Sequence, residues 1–339
     1  RRGGWRVGAV ASPVLFALGL FSAEAAVATL AYLTAYALFV DRASRLSRAL
    51  SLLPTVAVML MWRLTYQLLG FGAWGTSYID PAREPARYFQ AVIERGPIFL
   101  LAQWALPPAE LYPYLSRNAA VLWWVVAVVV LIALAFILRA LLQRDSLARF
   151  WAAGMMLSLL PPSSSLPANR LLFFVGLGAM GLMAQWLEER RPSSVVHRLL
   201  LFIHLILAPL LLLFTAFSPA LLGNIEPSIN SLPDDPGFAT QTAVIVNAPS
   251  FFYTGYIADI RSFHGLPAPA RVRTLASGLA PTTLSRADSN TVLVRPDGGY
   301  LTGFNTVFRG GGQPMRLGQT VVLTGVTITV QELAEDGRP

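Results

Sequence analysis

The sequence predicts an α-helical polytopic membrane protein of about seven transmembrane helices followed by a small extracytoplasmic β-rich domain. Three observations predict it. Of 339 residues, 55% are hydrophobic and 13% charged, with a mean hydropathy of +0.55, whereas a soluble globular chain carries about a quarter charged residues. All 26 basic residues are arginine, and residues 1–217 hold 18 of them against 9 acids, while residues 218–339 hold 8 against 9. After residue 217 the composition turns sharply to Gly, Pro, Asn, Asp, Ser and Thr.

A membrane-crossing helix needs about 20 mostly apolar residues. Runs at 7–20, 25–40, 50–69, 119–142, 150–160, 171–187 and 199–217 meet or approach that length. The first and fifth are short, so each is expected to form a hairpin with its successor, turning at Ser22-Ala23-Glu24 and between Pro161 and Pro167. Irregular backbone is unsatisfied in lipid, which puts both turns at a membrane face.

Orientation follows from the arginines. Arg1, Arg2 and Arg6, then Arg42, Arg45 and Arg48, then Arg139, Arg144 and Arg149, then Arg190, Arg191 and Arg198 all fall on one side of seven crossings. By the positive-inside rule that side is cytoplasmic. The Glu24 turn, the 70–117 loop, the 161–170 turn and everything past residue 217 then lie outside the inner membrane of a bacterial cell envelope. Tryptophans fit aromatic belts, with Trp5, Trp151 and Trp186 inside and Trp74, Trp104, Trp123 and Trp124 outside. The arginines sit in short clusters between apolar runs, which argues against nucleic acid as a partner and for the bilayer. The opening run lacks the layout of a signal peptide, and the chain reads as a fragment truncated at both ends.

Beyond a linker at 218–236, the 237–339 region shows short β-branched runs at 243–246, 291–294, 320–324 and 326–330, bounded by turn residues. Pro296-Asp297-Gly298-Gly299 and Arg309-Gly310-Gly311-Gly312 read as turns, because glycine accepts positive φ without steric cost.

The chemistry-bearing residues converge on the outer face by topology alone. Glu24 lies in the first turn, Arg63 in the outer half of the third run, Asp80 to Arg95 in the long loop, and Asn169-Arg170 before the sixth run. An ionisable residue within a membrane helix is costly and suggests function, although Arg63 could instead snorkel to the headgroups, and Ser22 with Glu24 could cap the second helix. In the loop Gly70 to Pro81, aromatic residues could face a sugar, with hydrogen bonds from Asp80 and charge-assisted contacts to phosphate from Arg87, beside Tyr88. An amphipathic helix from Glu84 to Trp104, broken at Gly96-Pro97, is expected to lie on the outer leaflet. In the 161–170 turn, three serines offer hydroxyl donors and Arg170 suits a bidentate phosphate clamp. Candidate substrate-binding residues are thus Glu24, Arg63, Asp80, Arg87, Tyr88, Asn169 and Arg170. His197, His204 and His264 are too dispersed for a metal site, and the absence of cysteine excludes disulfides and thiol catalysis.

The segment Phe16 to Val27, with its Ser22-Ala23-Glu24 turn, resembles part of the polytopic GT-C-type glycosyltransferases, especially protein O-mannosyltransferase-like members. A Ser-Lys-Glu turn stands there in that family, and Ala23 replaces the lysine here. The stretch Leu159-Leu160-Pro161-Pro162 to Asn169-Arg170-Leu171-Leu172-Phe173 is similar to the family's proline-bearing turn before an arginine. The resemblance covers the hydrophobic two-thirds of the chain. It implies transfer of a sugar from a polyprenyl-phosphate donor to an extracytoplasmic acceptor by an inverting mechanism, often assisted by a divalent metal. The family's catalytic acid would fall upstream of Arg1, leaving Arg170 for the donor phosphate and the 70–95 loop for sugar or acceptor. The alternative is a non-enzymatic envelope protein whose membrane part anchors an outer β domain that binds glycan or protein.

Overall fold

The computed structural model describes residues 6–71, 78–189, 195–217, 229–248, 252–277, 280–302, 305, 308–309 and 314–339. The protein is mostly helical (62%), with small sheets near the C-terminus. It divides into two compact units, one within the first 208 residues and one that begins at Pro209.

The helical unit runs through α1 (Arg6–Ser22), α2 (Thr29–Phe39), α3 (Arg45–Leu68), α4 (Pro85–Trp104), α5 (Arg117–Arg144), α6 (Ser146–Leu157), α7 (Phe173–Glu189) and α8 (Val195–Phe202). A π-helical turn, Ile203–Leu207, joins α8 to α9 (Ala208–Phe217), which from Pro209 onward belongs to the second unit. Side chains satisfy the first free amides of several helices. Ser44 accepts from the Ser47 amide at α3, Ser116 from Ala119 at α5, and Asp145 from Leu147 and Ala148 at α6.

Among the described residues, three helices are long and apolar enough to cross a membrane: α3, α5 and the run Val195–Leu213. Their most apolar windows are only 6%, 11% and 6% buried within the protein. Apolar surface left exposed on that scale is compatible with a lipid bilayer, and the chain is that of a membrane protein. Val7–Ser22 and Glu24–Phe39 are apolar but shorter, and α6 and α7 have 12 and 17 residues. Seven apolar runs therefore become helices of unequal length, of which three meet the length criterion by themselves.

The core of this unit lies where α4, α5, α6 and α7 meet, around Phe99, Trp104, Leu141, Val175 and Leu182. α2 also packs against α6, and α6 against α7, with glycines leaving room for aromatic rings from the facing helix. A Cβ on Gly154 would stand 2.4 Å from the Tyr32 ring, and one on Gly181 would stand 2.4 Å from Trp151. The Tyr32 hydroxyl donates to the Phe174 carbonyl.

Two expectations are corrected here. α4 continues through Gly96-Pro97, and its second half is buried instead of lying on a membrane surface: Ile98, Phe99, Leu101 and Trp104 are all core residues. Proline removes the amide that would bond the carbonyl four residues earlier, here that of Ile93. The Trp124 indole of α5 donates to that same carbonyl at 3.1 Å, so the helix proceeds without an unsatisfied group. For the same reason Trp104 and Trp186 belong to the packed core and not to aromatic belts, while Trp5 and Trp74 lie outside the described residues.

Among the described residues, the C-terminal unit contains three two-stranded sheets. β1 (Thr242–Ile245) pairs in parallel with β2 (Arg271–Thr274), and the connection between them carries two short helices, α10 (Phe252–Gly255) and α11 (Ile257–Phe263). Parallel strands require such a crossover. β3 (Thr282–Arg286) and β4 (Val292–Pro296) are antiparallel, as are β5 (Thr320–Leu323) and β6 (Val326–Thr329). The sequence-predicted strands at 243–246, 291–294, 320–324 and 326–330 correspond to β1, β4, β5 and β6. The turn at Pro296 has Gly298 and Gly299 at φ 78° and 79°, while residues 310–313 lie outside the described residues.

Arg261 of α11 organises this unit. Fully buried, it donates to the carbonyls of Pro267 (2.7 Å), Ile229 (2.8 Å), Leu232 (3.3 Å) and Pro233 (2.7 Å) and to the Asp234 carboxylate (2.8 Å). Its guanidinium also lies 5.5 Å from the centre of the Phe238 ring. Residues 229–234, at the end of the segment read as a linker, are therefore a packed part of the unit, with Ile229 buried against Ile257.

Candidate functional site

The site begins at the turn between α1 and α2. The Ser22 hydroxyl does not cap α2. It donates back to the Leu18 carbonyl at 2.9 Å and so finishes α1. Glu24 then opens a 3₁₀ turn, Glu24–Ala28, with no side-chain cap. Its exposed carboxylate faces the Tyr66 hydroxyl of α3.

Arg63 lies one turn before Tyr66, a spacing that puts both on one helical face. Its guanidinium is 5.6 Å from the centre of the Tyr66 ring. One of its nitrogens reaches both oxygens of Asp80 at 2.6 Å, and the two side chains are only 24% and 13% exposed. Asp80 also accepts from the Ala82 amide at 2.9 Å. Burial pushes the Asp80 carboxyl up, but the hydrogen bond from Arg63, the Ala82 amide and the charges of Arg63 and Arg83 together outweigh it and hold the group below the ordinary carboxylate range. Arg63 thus has a protein counter-charge and does not snorkel unpaired.

Tyr78 stands two residues before Asp80, and its hydroxyl bonds the Ser164 side chain. Burial raises its pKa, and the nearby Glu24 and Asp80 carboxylates raise it further, so the phenol remains a neutral donor. The Ile79 amide donates to the Ser164 carbonyl at 2.8 Å. α4 holds the same turn from the other side. Arg95 donates to the carbonyls of Ser163 (2.9 Å) and Ser165 (2.7 Å), and the Tyr88 hydroxyl donates to the Leu160 carbonyl at 2.7 Å. Burial raises the Tyr88 pKa as well. Ser163, expected to offer a free hydroxyl, is buried and donates to the Leu159 carbonyl at 2.7 Å.

The turn ends at Asn169 and Arg170. The Asn169 side-chain oxygen accepts from the Ala109 amide at 3.0 Å, and its own amide donates to Glu110 at 2.5 Å. Arg170 is exposed and makes no hydrogen bond or ion pair among the described residues. Arg87 pairs with Glu84, the residue just before its helix, at 2.8 Å.

Of the seven candidate residues, Glu24, Arg63 and Asp80 come together in one cluster. Tyr88 anchors the 160–165 turn, Asn169 fixes the turn's far end, Arg170 is left unpaired, and Arg87 is occupied locally. Sequence reasoning missed Tyr66, Tyr78 and the anchoring role of Arg95. Two of these carried a signal: Tyr66 stands three residues after Arg63, and Arg95 stands seven after Tyr88, so each pair shares a helical face. Residues 72–77 of the glycine-rich loop lie outside the described residues.

Chemically, the cluster offers the Glu24 carboxylate, the Tyr66 phenol that bonds it, and the Tyr78 phenol, while the uncommitted Arg170 guanidinium stands at the far end of the turn that Tyr78 and Ile79 contact. That set suits hydroxyls and a phosphate. Among the described residues no three His, Asp or Glu side chains gather as a metal ion would need. His197 is buried beside the Trp186 ring, and His204 lies 3.2 Å from the Trp104 carbonyl. No family model, curated protein or solved structure matches the chain.

Proposed function

We propose that the protein is an integral-membrane, GT-C-like glycosyltransferase that uses a polyprenyl-phosphate-linked sugar at the extracytoplasmic face of the inner membrane. The observation that carries this reading is the contrast within the 160–170 turn. Its backbone is anchored by Arg95, Tyr88 and Ile79, yet Arg170 at its end is exposed and uncommitted. A rigid mount under an unpaired guanidinium is what phosphate recognition requires. The resemblance of the Ser22-Ala23-Glu24 turn and of the Pro161–Arg170 stretch to that family supports the same assignment.

In this reading all seven apolar runs cross the membrane, the shorter ones sheltered by longer neighbours, and the four arginine clusters face the cytoplasm. Arg170 receives the donor phosphate. Glu24, Tyr78 and the Arg63–Asp80 pair face the sugar hydroxyls, while Tyr88 and Arg87 border the acceptor's approach. In membranes supplied with a lipid-linked sugar, Arg170→Ala is expected to reduce transfer by about 10- to 100-fold, the worth of one charge-assisted hydrogen bond or two. Unchanged transfer removes the clamp and with it this assignment.

A second reading, an envelope protein whose outer domain binds a glycan or a protein, is favoured by one observation. The C-terminal hairpins carry exposed apolar residues, Leu284, Val292 and Leu293 on one and Val322 on the other. Retention of envelope components by the whole chain, lost when residues 280–330 are deleted and unaffected by Arg170→Ala, would support it over the enzyme.

A further inference from the structure

At the arginine-rich end of the helical unit, α2, α5 and α6 line a shallow, open groove of about 440 Å³. Phe39, Leu142, Ala152 and Met156 give it an apolar wall, and Arg139 and Arg149 line it as well. The helical period explains the grouping. Arg139 and Leu142 share one face of α5, and Arg149, Ala152 and Met156 share one face of α6.

Both arginines are exposed, and neither makes a hydrogen bond or ion pair among the described residues. The Arg149 guanidinium lies 5.8 Å from the centre of the Phe39 ring, at the apolar wall itself. Nearby charges are already engaged. Glu189 pairs with Arg144 at 2.7 Å, Asp145 caps α6 and accepts from Gln185 at 3.4 Å, and Arg48 donates to the carbonyls of Ala37 and Leu38. Two uncompensated cations therefore border an apolar groove on a helix whose most apolar window is 11% buried.

We infer that this groove binds one anionic phospholipid, its phosphate held between Arg139 and Arg149 and an acyl chain laid along Phe39, Leu142, Ala152 and Met156. Guanidinium groups match phosphate oxygens in pairs, and basic pockets between membrane helices are recognised sites for anionic headgroups. A soluble phosphate would leave the apolar wall without an occupant. A zwitterionic lipid would bring its own cation against the two arginines. The site is separate from the Glu24–Asp80 cluster and does not depend on a glycosyltransferase activity.

The test uses the whole purified protein in detergent, stripped of lipid and titrated with dioleoyl phosphatidylglycerol, with bound lipid counted by native mass spectrometry. Wild type is expected to retain one phosphatidylglycerol in preference to phosphatidylcholine. The double variant Arg139→Ala, Arg149→Ala is expected to bind about thirtyfold more weakly, since each arginine near an anionic headgroup contributes a factor of about five. Ala135→Trp, which fills the groove from α5 without changing charge, is expected to abolish retention, while Arg198→Ala, outside the groove, is expected to leave it intact. Thermal unfolding of each variant without lipid separates lost binding from lost folding. Equal affinity in the double variant, equal retention of phosphatidylcholine, or full competition by millimolar inorganic phosphate would overturn the proposal.

Discussion

Arg261 in the C-terminal unit and Arg63 in the helical unit both leave water, and they are compensated in opposite ways. Arg261 is fully buried and distributes its donors over four backbone carbonyls and Asp234. Nothing on it is left to bind a ligand, and the residues it grips, 229–234 and Pro267, come from loops that it ties to α11. Arg63 keeps 24% of its side chain exposed, spends itself on the single carboxylate of Asp80, and borders Tyr66, Tyr78 and Glu24. Burial alone does not mark an arginine as functional. What separates the two is whether its neighbours keep unspent hydrogen-bonding capacity.

Loss of the Arg261 side chain should have the largest effect. Arg261→Ala leaves buried carbonyls at Ile229, Pro233 and Pro267 without donors, and removing one partner of a buried charged network costs about 3–5 kcal/mol. Proteolysis within 229–235 of the whole protein should accelerate steeply, and Arg261→Lys should not rescue it, because an ammonium has three donors and no planar fork. A loss below about 1 kcal/mol would mean that this hub is redundant.

Arg63→Ala should cost less, about 1–3 kcal/mol, since water reaches the pair and can resolvate Asp80. Thermal unfolding of the helical unit, followed by its tryptophan fluorescence, measures it, and a cost equal to that of Arg261→Ala would erase the distinction. The pair also makes a pH prediction. The folded Asp80 pKa is depressed, so its contribution is present in full above the ordinary aspartate value of about 4 and is lost as pH falls through the lower folded value. A melting-temperature profile should show that acid loss in wild type and should be flatter across the same window in Asp80→Asn.

The smallest effect on stability is expected for Arg170→Ala. An exposed residue with no partner among the described residues should stay within about 0.5 kcal/mol of wild type, whatever happens to the proposed sugar transfer. A large loss of stability would show that Arg170 is a structural contact and would remove its place in the site.

Much of the helical layout was legible because apolar periodicity and turn residues act locally. The C-terminal end of α3, both ends of α5 to within two residues, the Glu24 turn and strands β1, β4, β5 and β6 all follow from neighbours in sequence, whereas α3 begins five residues before the apolar run that marks it. The convergence of Glu24, Arg63 and Asp80 was also anticipated, from the order of the apolar runs. What was not legible depends on distant partners. Pro97 reads as a helix break until Trp124, 27 residues on, supplies the donor for Ile93. β2 was missed although Arg271-Val272-Arg273-Thr274 alternates as a strand does, because the run is only four residues long, follows Pro267-Ala268-Pro269, and is fixed by pairing with the distant β1. Arg261 looks like any surface cation of a short amphipathic helix, since its carbonyl acceptors lie mostly some 30 residues upstream. Tyr78 was passed over as one aromatic among several, and only the approach of Ser164 gives its hydroxyl a partner.

Every proposed role rests on the polar cluster and the arginine-rich end facing opposite sides of one membrane. The chain contains no cysteine, so single cysteines can be introduced at Arg170 and at Arg42 and labelled in intact cells with a membrane-impermeant maleimide. Labelling of Arg170→Cys in intact cells, with Arg42→Cys labelled only after permeabilisation, is the expected result. Equal labelling of both, or the reverse pattern, would contradict the orientation and with it the extracytoplasmic site.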